Sequence, residues 1–88
     1  MDTALLQNIA KNILKLRTNA GLSQLQLATN ADISLKTLHA IEHVAGNLEI
    51  KTLTKIAEAF NVTVEQLFED ENANSKLDSL IDLLSRNS

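Results

Sequence analysis

The feature that most constrains this chain is a pair of short helices separated by a turn of about three residues. It is written in the punctuation from Gly21 to Glu42, GLSQLQLATNADISLKTLHAIE. Gly21 closes a long helical pattern where a chain leaves a helix through the left-handed region, which glycine enters without cost. Ser23 offers an N-cap hydroxyl with Gln26 three residues on, the spacing of a capping box, and Leu27, Ala28 and Ala31 follow at helical intervals. A helix is expected from about Gln24 to Asn30. Asp32 tolerates positive φ, Ile33 can plug the corner, and Ser34 caps a helix expected over Leu35 to His43. On a wheel of about 100° per residue, Leu38, Ile41 and Glu42 share one side of that helix. Lys36, His39, Ala40 and His43 cluster on the other. One side docks and the other is free to read a surface.

The flanking sequence supplies the remaining helices. Leu5, Ile9, Ile13 and Leu16 form the core stripe of a first helix over about Thr3 to Asn19. Leu53, Ile56, Ala57 and Phe60 do so for a fourth over Ile50 to Phe60, followed by Asn61 as a left-handed turn residue. Thr63 with Gln66 repeats the capping-box spacing and opens a fifth helix ending near Phe68. Glu69 to Ser75 is polar and acidic and reads as a linker. Ser75 then caps a last helix with Leu77, Leu80, Ile81 and Leu84 on one side. A helix of about a dozen residues is marginal alone in water. It therefore packs either on Leu6 and Leu14 of its own subunit or against a second chain.

At 88 residues and 44% apolar content, one small core is affordable without disulfides or metal, and the chain has neither cysteine nor proline. No nucleophile and base constellation, phosphate-binding glycine loop or metal cluster is present, so neither an enzyme nor a cofactor is expected. His39 and His43 lie one turn apart. Ala40 stands where a zinc-protease motif needs glutamate, however, and no third ligand is evident, so no metal is expected. The start, Met1-Asp2-Thr3-Ala4-Leu5-Leu6, lacks a basic region and a long apolar run. No membrane association is expected, and the cytoplasm is the expected location.

In order along the chain, Ile13, Leu16, Arg17, Gly21-Leu22-Ser23-Gln24, Leu27-Ala28, Ile33-Ser34, Thr37-Leu38 and Ile41-Glu42 carry a wider pattern. It continues through Leu53, Ile56-Ala57, Ala59-Phe60, Val62 and Leu67-Phe68. This set resembles the phage-repressor and Cro-like helix-turn-helix family, also called the XRE family, over Ile9 to Phe68. The resemblance implies an all-α, compact five-helix, lambda-repressor-like DNA-binding domain in residues 1–70. Residues 71–88 would add a linker and an amphipathic C-terminal helix that packs on the domain or at a dimer interface.

The resemblance also assigns roles. Gln24, after the cap serine, corresponds to a residue that reaches a phosphate. Leu35, Lys36 and Ala40 match base-reading positions, with Ser34, Thr37 and His39 beside them. Lys36 can donate to guanine or phosphate and Leu35 can pack on a thymine methyl. His43 is expected at solvent or phosphate. In the loop Val44-Ala45-Gly46-Asn47, where relatives often place glycine followed by basic residues, phosphate contacts are expected to fall to Asn47, the loop amides, and Lys51 or Lys55. Arg17 and Glu42 match a structural ion pair. The implied partner is double-stranded DNA, bound by a homodimer whose surface lies near Val62, Val64 and Phe68.

Net charge is −3, which opposes DNA affinity arising from phosphate neutralisation. The distribution softens this. Through Phe60 there are six Lys or Arg against five Asp or Glu, and from Asn61 onward two against six. Asn47 to Leu53 and Lys55-Ile56-Ala57 also resemble controller proteins of restriction-modification systems, which implies a small autoregulator. The other reading is a protein-interaction module, such as an antitoxin or antirepressor partner, motivated by the acidity, by Leu25 and Leu35, and by the last helix.

Overall fold

In a computed structural model the chain is described over residues 3–44, 48–69, 81 and 83–85. Its elements are α1 (Thr3–Asn19), α2 (Gln24–Ala31), α3 (Leu35–Glu42), α4 (Ile50–Ala59) and α5 (Val64–Leu67). No strand occurs among the described residues. The boundaries agree with those read from the sequence to within a residue or two, because the caps form. Ser23 and Thr63 each complete a reciprocal capping box, with Gln26 and Gln66. The Ser34 hydroxyl accepts from the Thr37 amide at 3.0 Å.

The exits from four helices share one device. Gly21, Asp32, Val44 and Asn61 all have φ between 56° and 70°. Three of these turns are closed by a pair of backbone bonds. After α1, Gly21 N donates to Thr18 O and Leu22 N to Arg17 O; after α2, Asp32 N to Thr29 O and Ile33 N to Ala28 O; after α4, Asn61 N to Glu58 O and Val62 N to Ala57 O. Each pair satisfies carbonyls that the helix end leaves free. Glycine, aspartate and asparagine suit that conformation; Val44 is β-branched and does not.

The core is built from Ile9 and Ile13 of α1, Leu27, Ala28 and Ala31 of α2, Leu38 of α3, Leu53, Ile56 and Ala57 of α4, and Leu67 of α5. Leu5, Leu16, Phe60, Val62, Val64 and Phe68 pack on it while half-exposed. α3 rests on both α1 and α2, and α4 on α2 and α5, so the helix that could read a surface is held from two sides. Two asparagines close the bundle. Asn12 Nδ2 donates to the carbonyls of Leu67 and Glu69 at 2.8 and 2.7 Å, and Asn8 Nδ2 to those of Phe68 and Glu69, both at 2.9 Å. They satisfy backbone acceptors at and just beyond the end of α5, which spans only four residues.

Of the expected last helix, Ile81 and residues 83–85 are described; they are helical, and Ile81, Leu83 and Leu84 are exposed. Leu77 and Leu80 lie outside the described residues. Leu14 is exposed and Leu6 half-buried. Among the described residues no helix is long and apolar enough to cross a membrane.

Candidate nucleic-acid interface

The candidate interface is organised around a carboxylate that the fold removes from water. Glu42, at the end of α3, has a side chain only 4% exposed, and Arg17 of α1 meets it with a side chain 15% exposed. Arg17 Nε donates to Glu42 Oε2 at 2.9 Å and Nη2 to Oε1 at 3.1 Å, a two-pronged pairing that a planar guanidinium allows and an ammonium does not. Arg17 Nη1 donates in addition to the carbonyl of Leu22 at 2.9 Å. Gln24 Nε2 completes the cluster by donating to Glu42 Oε1 at 3.0 Å. One carboxylate thus ties together α1, the turn after it, the start of α2 and the end of α3.

That cluster sets the position of Gln24. One amide hydrogen is held by Glu42, which leaves the other and Oε1 at the start of α2. The Ser23 and Gln26 side chains satisfy each other's backbone amides, at 3.1 and 2.8 Å. The amides of Gln24 and Leu25 have no protein acceptor among the described residues. Two N–H groups and the positive end of the helix dipole therefore face outward beside the Gln24 side chain, a combination suited to an anion.

On α3, Lys36 and His39 are exposed and Ala40 is half-buried; His43, the residue that follows the helix, is also exposed. Lys36 has no partner among the described residues. The His39 and His43 rings stack with centroids 4.0 Å apart and planes at 30°. His43 Nδ1 lies 2.8 Å from the His39 carbonyl, so it carries the hydrogen and donates. Stacked rings do not converge their nitrogens on one ion, and among the described residues no metal-holding group of three is found. Ser34 Oγ, besides capping α3, donates to Thr37 Oγ1 at 2.7 Å. Leu35, the first residue of α3, is 45% exposed.

Asn47 lies outside the described residues. Two other candidate phosphate contacts nearby are engaged. Lys55 Nζ donates to the Asp32 carbonyl at 3.2 Å, and Lys51 Nζ lies 3.9 Å from Glu49 Oε2 on an exposed surface. Sequence reasoning missed the bond between Gln24 and Glu42, the asparagine pair of α1, and the positive φ of Val44. Asn8 and Asn12 did leave a signal, a polar pair four residues apart immediately before the core residues Ile9 and Ile13.

A family model described as helix-turn-helix matches residues 13–67. Among solved structures, a hypothetical transcription factor from Neisseria is similar with a TM-score of 0.78 at 28% identity, covering 88% of this chain and 90% of that one. The restriction-modification controller protein C.AhdI from Aeromonas hydrophila is similar with a TM-score of 0.70 at 28% identity, covering 74% and 98%. A transcriptional regulator from Vibrio cholerae is similar with a TM-score of 0.72 at 29% identity over 77% of this chain and 38% of that longer one. No curated protein matches the chain.

Proposed function

The chain belongs to the XRE-type helix-turn-helix family, a DNA-binding fold of transcription regulators, and from that premise we propose that it is a cytoplasmic, homodimeric regulator of a short inverted repeat. The observation that carries the reading is the Arg17, Glu42 and Gln24 cluster, because it fixes the start of α2 against α3. A phosphate at Gln24 and the outward amides of α2 then sets the register of α3 in the major groove, with Lys36 and His39 toward base edges. Ser34, Thr37 and Ala40 shape that approach. His43, and Asn47 in the following loop, serve the flanking phosphates.

One eight-residue helix reads only a few base pairs, and the reading domain is nearly neutral, so two copies are needed for useful affinity. Twofold symmetry places the half-sites about 34 to 36 Å apart. Val62, Val64 and Phe68 remain half-exposed around α5, and Ile81, Leu83 and Leu84 are exposed in the C-terminal segment, which supplies apolar surface for the partner copy. The likeness to a restriction-modification controller favours autoregulation at the gene's own promoter. The exposure of Leu25 and of the C-terminal leucines favours, as a second reading, a protein partner bound in place of DNA or together with it.

The test is fluorescence anisotropy of labelled DNA from the region upstream of the gene, against a scrambled duplex, at two salt concentrations. Preference for the upstream DNA, with log K falling by about 0.9 per phosphate contact for each unit of log salt, supports the autoregulator. Equal affinity for both duplexes at either salt rejects it.

A further inference from the structure

The end of α5 is held to α1 at three consecutive carbonyls. Asn8 and Asn12 stand one helical turn apart on the same face of α1. Asn12 Nδ2 donates to the carbonyls of Leu67 and Glu69, and Asn8 Nδ2 to those of Phe68 and Glu69, at 2.7 to 2.9 Å. A carboxamide carries two hydrogens, so both side chains commit all of theirs to this one stretch of backbone. The Leu67 and Phe68 carbonyls lie in the two planar peptide units that flank the Phe68 Cα. Holding both fixes the direction in which the Phe68 side chain leaves the backbone. Phe68 is half-exposed, as are Val62 and Val64. Toward its other end α1 carries Arg17, which grips Glu42 at the end of α3 through two hydrogen bonds. Between Asn8 and Arg17 the helix is unbroken, and at about 1.5 Å per residue it forms a strut of roughly 13 Å.

We propose that Asn8 and Asn12 are positioning residues that set the distance and angle between the two reading helices of the dimer, and so make the protein selective for the spacing of its half-sites. The inference rests on the dimeric DNA-reading function proposed above, with Val62, Val64 and Phe68 at the dimer face. In a twofold dimer the reading helices are placed by whatever joins the shared face to α3 within each subunit. One continuous path does so here: from Phe68 to the two asparagines, along α1 to Arg17, and from Arg17 to Glu42. Leu67, the one fully buried residue of α5, anchors it in the core, and the bonds to the asparagines fix its angle about that anchor. Lengthening the spacer between half-sites by one base pair separates them by about 3.4 Å and turns one against the other by roughly 34 to 36°. Shared between two subunits, that asks each for a shift of about 2 Å and a rotation of roughly 17 to 18°. Hydrogen bonds weaken steeply as they bend, so the clamped α5 resists such a rotation and an unclamped one yields to it.

The full chain is used to enrich an inverted repeat from a pool of duplexes with a randomised core, and the enriched duplex is resynthesised with its spacer one base pair shorter and one longer. Affinity is read by anisotropy and oligomeric state by sedimentation, for the parent, Asn8→Ala, the double variant Asn8→Ala with Asn12→Ala, and Ile56→Val. The last removes a buried methyl group from the core without touching the asparagines. The parent is expected to prefer the enriched spacing by about tenfold or more, since a changed spacer puts one half-site out of register. In Asn8→Ala that preference should shrink by about fivefold, what one net hydrogen bond contributes. It should shrink further in the double variant and keep the parent's value in Ile56→Val. Asn8 is half-buried, so Asn8→Ala carries the test alone if the double variant does not fold. A dimeric parent indifferent to the spacer, an unchanged preference in Asn8→Ala, or an equal loss in Ile56→Val overturns the positioning role alone. A parent that is monomeric on the enriched DNA, or a pool that yields no enriched sequence, overturns the dimeric DNA-reading function and the positioning role with it.

Discussion

Replacing Glu42 by alanine tests whether the reading helix is held by a buried charge. The carboxylate is 4% exposed and accepts three hydrogen bonds, two from Arg17 and one from Gln24. Its removal leaves a guanidinium, itself only 15% exposed, with the Leu22 carbonyl as its remaining acceptor. Breaking one side of a buried pair costs about 3 to 5 kcal/mol, because the surviving charge is desolvated without compensation. Against a total stability of about 5 to 15 kcal/mol for a domain, that is a large fraction. At about 4 to 8 °C per kcal/mol for a domain of this size, the melting temperature should fall by roughly 12 to 40 °C. The assay is helical circular dichroism against temperature, with DNA anisotropy at a temperature where the variant is folded. The double variant Arg17→Met with Glu42→Leu separates charge from packing. With no unpaired ion left, it should recover to within about 1 kcal/mol of the parent. It should still bind DNA more weakly, because Gln24 has lost the acceptor that orients it. An unchanged melting temperature in Glu42→Ala, or a double variant as unstable as the single one, would refute the reasoning.

Other perturbations probe other links. Asn12→Ala removes the donor to the carbonyls of Leu67 and Glu69 and should cost about 1 to 3 kcal/mol, with α5 loosening first; amide exchange in α5 no faster than in the parent would contradict this. Val44→Gly relieves a left-handed conformation that costs a non-glycine residue about 1 to 2 kcal/mol, against an entropy cost of about 0.5 to 1 kcal/mol for glycine. A rise of a few degrees in melting temperature is therefore expected, and a fall rejects the strain. Lys36→Ala should weaken binding to the upstream DNA with melting unchanged. If the lysine meets phosphate, the salt slope drops by about one per subunit; if it meets guanine, the preference at that position relaxes; neither change would remove Lys36 from the interface. Truncation after Asn72 should leave a monomer in sedimentation if the C-terminal helix builds the dimer, and an undisturbed dimer refutes that role.

What the sequence made legible was local. Ser23, Ser34 and Thr63 write their helix starts in residues one to three positions apart, and Gly21, Asp32 and Asn61 write three of the four left-handed exits in residue types that tolerate positive φ. Val44 escapes such reading because its conformation opposes its own propensity. Asn8 and Asn12 escape it for another reason: their spacing marks them as a pair, but their acceptors lie 55 to 61 residues away and no local pattern names them.

Gln24 marks the boundary between the two kinds of information. Its place after a cap serine is a local signal, and the anion-facing amides beside it follow from that cap. Its side chain, however, is oriented by a carboxylate 18 residues away that is itself oriented by an arginine 25 residues from that carboxylate. On the proposed reading, a phosphate that pulls on Gln24 would therefore pull on Glu42, and through it on the end of α3, the helix that carries Lys36. Backbone contact and base reading would then share one cluster, so a change in the depth of Gln24 at the phosphate would displace α3 rather than simply add or remove one hydrogen bond.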